Sequence, residues 1–287
     1  MPALRVILLK RDADDRVERA AHEIGSFLEQ QPQIDLVASV VVEDLSPDCL
    51  DRADLIIVLG GDGAILRACR KLGRFQRPLL GVNLGRLGFL ADLTARDFRE
   101  RFDEIRNHKY EVVDHLMFEC TLRRADGTSE NFLGLNEAAV SAASTLEMIE
   151  VCLTIDDAPV TTYSCDGLII STPIGSTAHS LSAGGPAIQQ DLPVFVVTPI
   201  CPHTLSNRAL VDDADRTYRL TLPSTRTDVM LVIDGQIRRS FGVGDEIVIR
   251  RADTTCQLAR MPGHNYYKVL QDKMGWSGQP RYNGDDE

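Results

Sequence analysis

A change of hydrophobic rhythm a little past residue 110 limits what this chain can fold into more than any single motif does. Up to that point strand-like runs alternate with helical spacing. Leu4 to Leu9 is a continuous apolar run, after which Val17, Ala21, Ile24 and Leu28 recur every three or four residues. Strand-like runs return at Leu36 to Val42, Leu55 to Leu59 and Pro78 to Gly85, with Ile65, Leu66, Cys69 and Leu72 marking a helix before the last of them. A β-α-β-β-α-β order predicts a Rossmann-like, mostly parallel sheet covered by helices. Another helix is expected from about Ala95 to His108, opened by Thr94 and Asp97 as a capping box.

From Leu116 to about Gln257 the period falls to two, and turn signals separate short strands. Arg123 to Glu130 (RRADGTSE) reads as a hairpin, and Ile149, Val151, Leu153 and Ile155 alternate before a turn at Asp156-Asp157. Strands are expected around Val194 to Ile200, Tyr218 to Pro223, Val229 to Gly235 and Glu246 to Arg251. Helical spacing reappears only at Tyr267, Leu270 and Met274, in a segment too short to stand alone. The expected architecture is therefore an α/β domain of residues 1–115 plus 258–287 and an all-β, sandwich-like domain of residues 116–257, with the C-terminal helix returning to the first domain.

Composition narrows the function. The net charge of -11, from 42 acidic and 31 basic residues, comes without a basic block, so a nucleic-acid partner is not expected. The apolar runs are too short to cross a bilayer, and Met1 to Asp15 lacks the pattern of a secretory signal, which makes a cytoplasmic location the expectation. Seven scattered cysteines with no C-x-x-C pair read as reduced core thiols rather than disulfides or a zinc site.

Four stretches carry chemistry. Gly60-Gly61-Asp62-Gly63 follows the third strand, where glycine amides and a helix N-terminus suit a phosphate. The plainer reading is a tight turn with Asp62 as helix N-cap. A second glycine-rich turn, Gly81 to Asp92, adds Asn83, Gly85, Arg86, Gly88 and Phe89 at the end of the next strand; two such turns side by side point to a shared crevice. Asn136 and Glu137 stand together in a strand-like segment, so one of them should face inward and need a partner. Tyr163 to Ala187 is dense in hydroxyls and glycines, which suits a sugar or an adenine edge. It has no G-x-S-x-G elbow, so a hydrolase triad is not expected there.

These stretches, together with PHTLS from Pro202 and DGQ from Asp234, resemble the bacterial-type NAD kinases over nearly the whole chain. The resemblance implies transfer of the terminal phosphoryl group of ATP, or of polyphosphate, to the 2′-hydroxyl of the adenosine ribose of NAD. It implies Asp62 as general base, with Gly61, Gly63, Arg67 and Phe89 among the binding residues. Asn136 and Glu137 would hold ribose hydroxyls, and Asp166 the nicotinamide half. Ile174, Thr177, Ala178, His179, Ser180, Leu181 and Ser182 would line the adenosine pocket, with Gln236 contributing from the β domain. A divalent cation such as Mg2+ would accompany ATP without a dedicated cage, and a homodimer or homotetramer is implied.

The sequence departs from the family pattern at Ala64, Ser164, Ile174, His179 and Ala209. Ile174 and His179 bear on adenine recognition, where a hydroxyl is lost and a ring is smaller. Two rival readings share some of these features. A diacylglycerol-type lipid kinase uses a GGDG turn but wants an apolar entrance, and a non-catalytic dinucleotide sensor would bind NAD without modifying it.

Overall fold

The strand-helix alternation of the first third folds as its spacing requires. In the computed structural model, residues 3–11, 14–85, 88–91, 93–143, 147–203 and 208–275 are described; Arg86 and the Thr204 to Ser206 part of the PHTLS motif lie outside them. The first unit runs β1 (Leu4–Lys10), α1 (Asp15–Glu29), β2 (Ile34–Val41), α2 (Pro47–Asp51), β3 (Leu55–Leu59), α3 (Asp62–Leu72), β4 (Leu79–Asn83), β5 (Leu93–Thr94), α4 (Ala95–Glu100) and α5 (Phe102–Arg106). β2, β1, β3, β4 and β5 lie side by side, each parallel to its neighbour. α1 begins at Asp14, whose side chain accepts from the Arg16 amide, and buries Val17, Ala21, Ile24 and Leu28 against the sheet, the stripe seen in the sequence.

The Thr94–Asp97 capping box is present, but the single helix expected over 95–108 is two. The break falls at Arg101 (φ −100°, ψ 11°), whose guanidinium binds Glu104 and the Pro262 carbonyl. Both pieces still face inward, where Phe98 and Phe102 meet Phe27 of α1 edge-on at 6.3 and 4.9 Å.

The remaining strands are β6 (Glu111–Arg123), β7 (Ser129–Gly134), β8 (Glu137–Ala142), β9 (Ile149–Ile155), β10 (Ala158–Cys165) and β11 (Gly167–Ser171). A short α6 (His179–Ser182) precedes β12 (Val194–Ile200), β13 (Leu210–Asp213), β14 (Tyr218–Thr221), β15 (Val229–Ile233), β16 (Ile237–Phe241) and β17 (Glu246–Arg260), and α7 (Tyr266–Met274) closes the series. Six of these strands form an antiparallel sheet in the order β13-β12-β11-β8-β15-β16. It encloses a core that includes Phe118, Leu153, Phe195, Tyr218, Phe241 and Ile249 against β6, β9, β14 and β17.

Those last strands belong to the same sheet as β1 to β5. β17 pairs with β6 along nearly its whole length, with β14 through its first residues, and in parallel with β4 at Leu258–Leu79. The register slips between Arg251 and Thr255, a bulge where the strand passes from the sandwich to the parallel sheet. The boundaries expected near residues 115 and 257 therefore fall inside two long strands, not in a linker. α3 adds an apolar seam between the units, where Ile65, Cys69 and Leu72 join Leu135 and Ile174 in one buried cluster.

After β17 the chain is back on the first unit, with Met261 in its core and Pro262 held by Arg101. From there α7 sends the Tyr266 and Tyr267 hydroxyls to Ile188 O and Gln189 Oε1 in the connection after α6. All seven cysteines are free thiols. Cys69, Cys120, Cys165 and Cys256 are buried, Cys49 and Cys152 partly so, and Cys201 is exposed.

Candidate active site

Both glycine-rich turns leave the carboxyl ends of parallel strands, where a sheet of this kind presents its backbone to a ligand. After β3, Gly60 adopts φ +140°, and a Cβ there would lie 2.8 Å from that of Ala64. Gly61, not Asp62, is the N-cap of α3. Asp62 is the first helical residue, and the plainer capping reading fails because its carboxylate reaches across to the turn beyond β4.

There Asp62 Oδ2 accepts from the Phe89 amide at 2.8 Å, and Oδ1 from the Leu90 and Ala91 amides at 3.0 and 3.3 Å. Gly88 permits the approach, since a Cβ on it would stand 1.9 Å from Asp62 Oδ1. A carboxylate offers about four acceptor positions, and three are taken by backbone. The carboxylate is thus fixed in orientation with one position left, while a Cβ at Gly61 would meet nothing within 4 Å, so the turn faces open space. The Ala64 amide already binds the Gly61 carbonyl at 2.9 Å, and helix geometry leaves those of Asp62 and Gly63 without an intrahelical partner.

A second carboxylate ties this turn to the β unit. Asp234, at φ +49° in the DGQ turn, is buried; its Oδ1 accepts from the amides of Asn136 at 2.7 Å and of Leu135 and Glu137 at 3.2 Å. Its Oδ2 receives Arg70 Nη1 of α3 at 2.7 Å. Arg70 Nη2 donates to Gln236 Oε1, and Gln236 Nε2 donates to the Gly63 carbonyl at 3.0 Å. A continuous set of hydrogen bonds therefore runs from the GGDG turn through Gln236, Arg70 and Asp234 to Asn136 and Glu137.

Of the Asn136–Glu137 pair, Glu137 is buried and Asn136 half-buried. Asn136 Oδ1 and Glu137 Oε2 are both enclosed without a hydrogen-bond partner. Burial, and then the charge of Asp234, push the Glu137 carboxyl up to about 8, so it holds a proton at neutral pH. A neutral carboxyl and an amide, each with an unanswered oxygen, can satisfy a vicinal diol.

Other candidates sit differently. Arg67 points away, to Glu43 at 3.0 Å on the exposed side of α3. Ile174 is core. The hydroxyl-rich segment, expected to serve a ligand, spends much of that chemistry within the protein, on its own carbonyls and on neighbouring strands. Thr172 donates to Leu135 O, Ser176 to Pro173 O and Thr177 to Ile174 O, and Ser180 pairs with Thr198 at 2.8 Å. The reason is that a chain leaving a fully buried strand must answer its own carbonyls. His179 and Ser182 are exposed, and Ala178, Leu181 and Phe89 are partly buried.

Asp166, with 46% of its side chain exposed, lies near His203 at 3.9 Å and stands at the far end of β11, whose Ser171 is the residue paired with Glu137. Five residues of strand put it roughly 16 Å from Glu137 along the sheet. One participant, Arg70, escaped the sequence reading, and Asp234 was seen only as the start of the DGQ motif. Arg70 lies two helical turns beyond Asp62, where a cation also suits the dipole at the end of α3.

Among the described residues no cluster of three or more His, Cys, Asp or Glu side chains could hold a metal ion. Asp62 has a single acceptor position left after its three amides, so the site fits an ion carried by a nucleotide's phosphates better than one resident in the protein.

Comparison with known proteins bears on both units. A family model described as the ATP-NAD kinase N-terminal domain matches residues 10–110, and one described as the ATP-NAD kinase C-terminal domain matches residues 135–261. The chain is 40% identical over 252 residues to an NAD kinase of Rhodopirellula baltica, covering 87% of this chain and 81% of that one. It is 35% identical over 278 residues to an NAD kinase of Geobacter metallireducens, covering 95% and 98%. Among solved structures, an NAD kinase from Archaeoglobus fulgidus in complex with ATP superposes with a TM-score of 0.75 at 26% identity, over 96% of this chain and 100% of that one. A yeast NADH kinase complexed with NADH gives a TM-score of 0.87 over 98% and 89%; at 24% identity that likeness speaks for the fold alone.

Proposed function

This chain belongs to the NAD kinase family, a family of phosphotransferases, and from that premise we propose that Asp62 is the general base that directs the adenosine ribose 2′-hydroxyl of NAD onto the terminal phosphorus of ATP. A new O–P bond forms at the 2′-oxygen and the bridging P–O bond to the β-phosphate breaks. The hydroxyl proton passes to Asp62, and ADP leaves. The observation that carries this reading is the Asp62 carboxylate, fixed by three amides with one acceptor position to spare and open space beside it.

Phosphoryl transfer asks mainly for alignment and for neutralisation of spread charge. Asn136 and Glu137, each with an unanswered buried oxygen, would hold the ribose. The first amides of α3 would receive phosphate oxygens. Mg2+ or another divalent ion would enter on ATP and spread charge on the transferring group; no step here depends on protein ligands to it. His179, exposed at the start of α6, is the candidate to meet the adenine ring, and Asp166, at the far end of β11, the candidate for the nicotinamide half.

The same proposal makes the protein a cytoplasmic homodimer or homotetramer. Exposed Val160 on β10 and Val211 on β13, both at sheet edges, support association, and light scattering on the eluted protein tests it. No described helix is long and apolar enough to cross a membrane.

The decisive assay incubates the pure protein with NAD, Mg2+ and either ATP or polyphosphate and follows NADP. NADP formed with one of the donors is expected. NAD binding without NADP would replace this reading with the sensor.

A further inference from the structure

We infer that Arg70 is a positioning residue for this reaction: its guanidinium sets the helix that carries Asp62 at a fixed distance from the segment that holds the acceptor ribose. The inference rests on the reaction proposed above and goes beyond it, because nothing in that reaction requires a cation at this place.

The geometry is specific. Arg70 Nη1 meets Asp234 Oδ2 at 2.7 Å while Nη2 meets Gln236 Oε1, so one planar fork serves two groups of the β unit at once. The Arg70 side chain is 11% exposed and that of Asp234 0%. Each partner passes the constraint on. Asp234 holds the amides of Leu135, Asn136 and Glu137, and Gln236 returns to the Gly63 carbonyl, one residue from Asp62.

Cohesion of the units is already supplied elsewhere. Ile65, Cys69 and Leu72 of α3 pack with Leu135 and Ile174 in a buried apolar cluster, and the sheet runs through both units. A buried ion pair adds little stability over an apolar pair of the same size, whereas the two divergent arms here are satisfied together in one arrangement of α3 against the β unit. An apolar seam resists separation more than it resists sliding, so the fork is what stops α3 shifting along the seam. A lysine cannot replace it, because an ammonium is a single point charge and lacks two divergent planar donors.

Displacing a reacting group by about an ångström costs on the order of 100-fold in rate. The Arg70→Lys protein keeps a cation for Asp234 but loses the second arm. It should melt near the parental temperature and bind NAD with a KM within about threefold of parental, while kcat falls roughly 10- to 100-fold. In the Arg70→Ala protein, millimolar guanidinium should restore part of kcat and methylammonium should not, a comparison that stands even if the lysine variant folds poorly. A parental kcat in R70K, or equal rescue of R70A by the two cations, overturns the assignment. The parental protein is the separate control: if it forms no NADP, the reaction reading itself fails, and these variants are not needed to see it.

Discussion

Asp62 and Asp234 are two versions of one device, a carboxylate that gathers three consecutive backbone amides, and they differ in what fills the remaining acceptor positions. Around Asp234 that place is taken by Arg70, the side chain is sealed from solvent, and the result is a joint. Around Asp62 no cation arrives among the described residues, the turn opens onto free space at Gly61, and one acceptor position is left. The lesson is that amides alone orient a carboxylate without neutralising it. The cation is what separates structure from chemistry.

The contrast can be broken most sharply at Asp62. Asp62→Asn should lower kcat about 10²- to 10⁴-fold, the usual worth of a general base, with NAD affinity near parental by calorimetry. Parental turnover would reduce Asp62 to a second joint. At the other carboxylate the effect should fall on the fold. Asp234→Ala leaves the Arg70 charge buried among unanswered amides and should cost about 3–5 kcal/mol in urea unfolding.

Smaller changes sharpen the comparison within one turn. Gly88→Ala drives a methyl against Asp62 Oδ1 and should cost about 1–3 kcal/mol through strain on the 88–91 segment. Gly61→Ala adds its methyl to empty space, so the melting temperature should hold while the KM for ATP rises.

The mildest test is pH. Glu137 is raised from its ordinary 4.5 to about 8 by burial and by Asp234, so the folded state binds its proton more tightly than the unfolded chain does. Its contribution is fully present below pH 4.5 and is lost as pH rises through about 8, at no more than about 1.4 kcal/mol per pH unit. Buried His115, pushed down to about 4 by burial and by Arg260, acts in the opposite sense: its contribution is lost as pH falls from 6.5 to about 4. Glu137→Gln should flatten the alkaline side of a stability profile and leave the acid side, governed in part by His115, unchanged.

Period and turn chemistry made most elements legible. Val194 to Ile200 is β12 to the residue, and the double aspartate at 156–157 forms a turn with both φ positive. β11 was hidden because its apolar Gly167–Ser171 run sits inside a segment whose polar flanks dominate any reading of composition. That the two units share strands was hidden for a different reason: period two describes β6 and β17 on both sides of the bulge and cannot say which sheet neighbours they have.

At the site, Asp62, Asn136 and Glu137 were visible because glycine-flanked or adjacent polar residues at strand ends require an explanation. Arg70 was not, since a guanidinium in the last turn of a helix has an ordinary reason to be there. Nor could the sequence tell which hydroxyls of the 171–182 stretch were already engaged, because Thr198, the partner of Ser180, lies on a different strand.

The ladder of β6 and β17 runs unbroken except for one bulge from the sandwich into the parallel sheet. A molecule girdered in that way has no hinge about which to gape, because swinging its halves apart would shear a row of main-chain bonds. Amide hydrogens should accordingly exchange slowly along the girder, at a rate set by unfolding of the whole molecule and not by local opening.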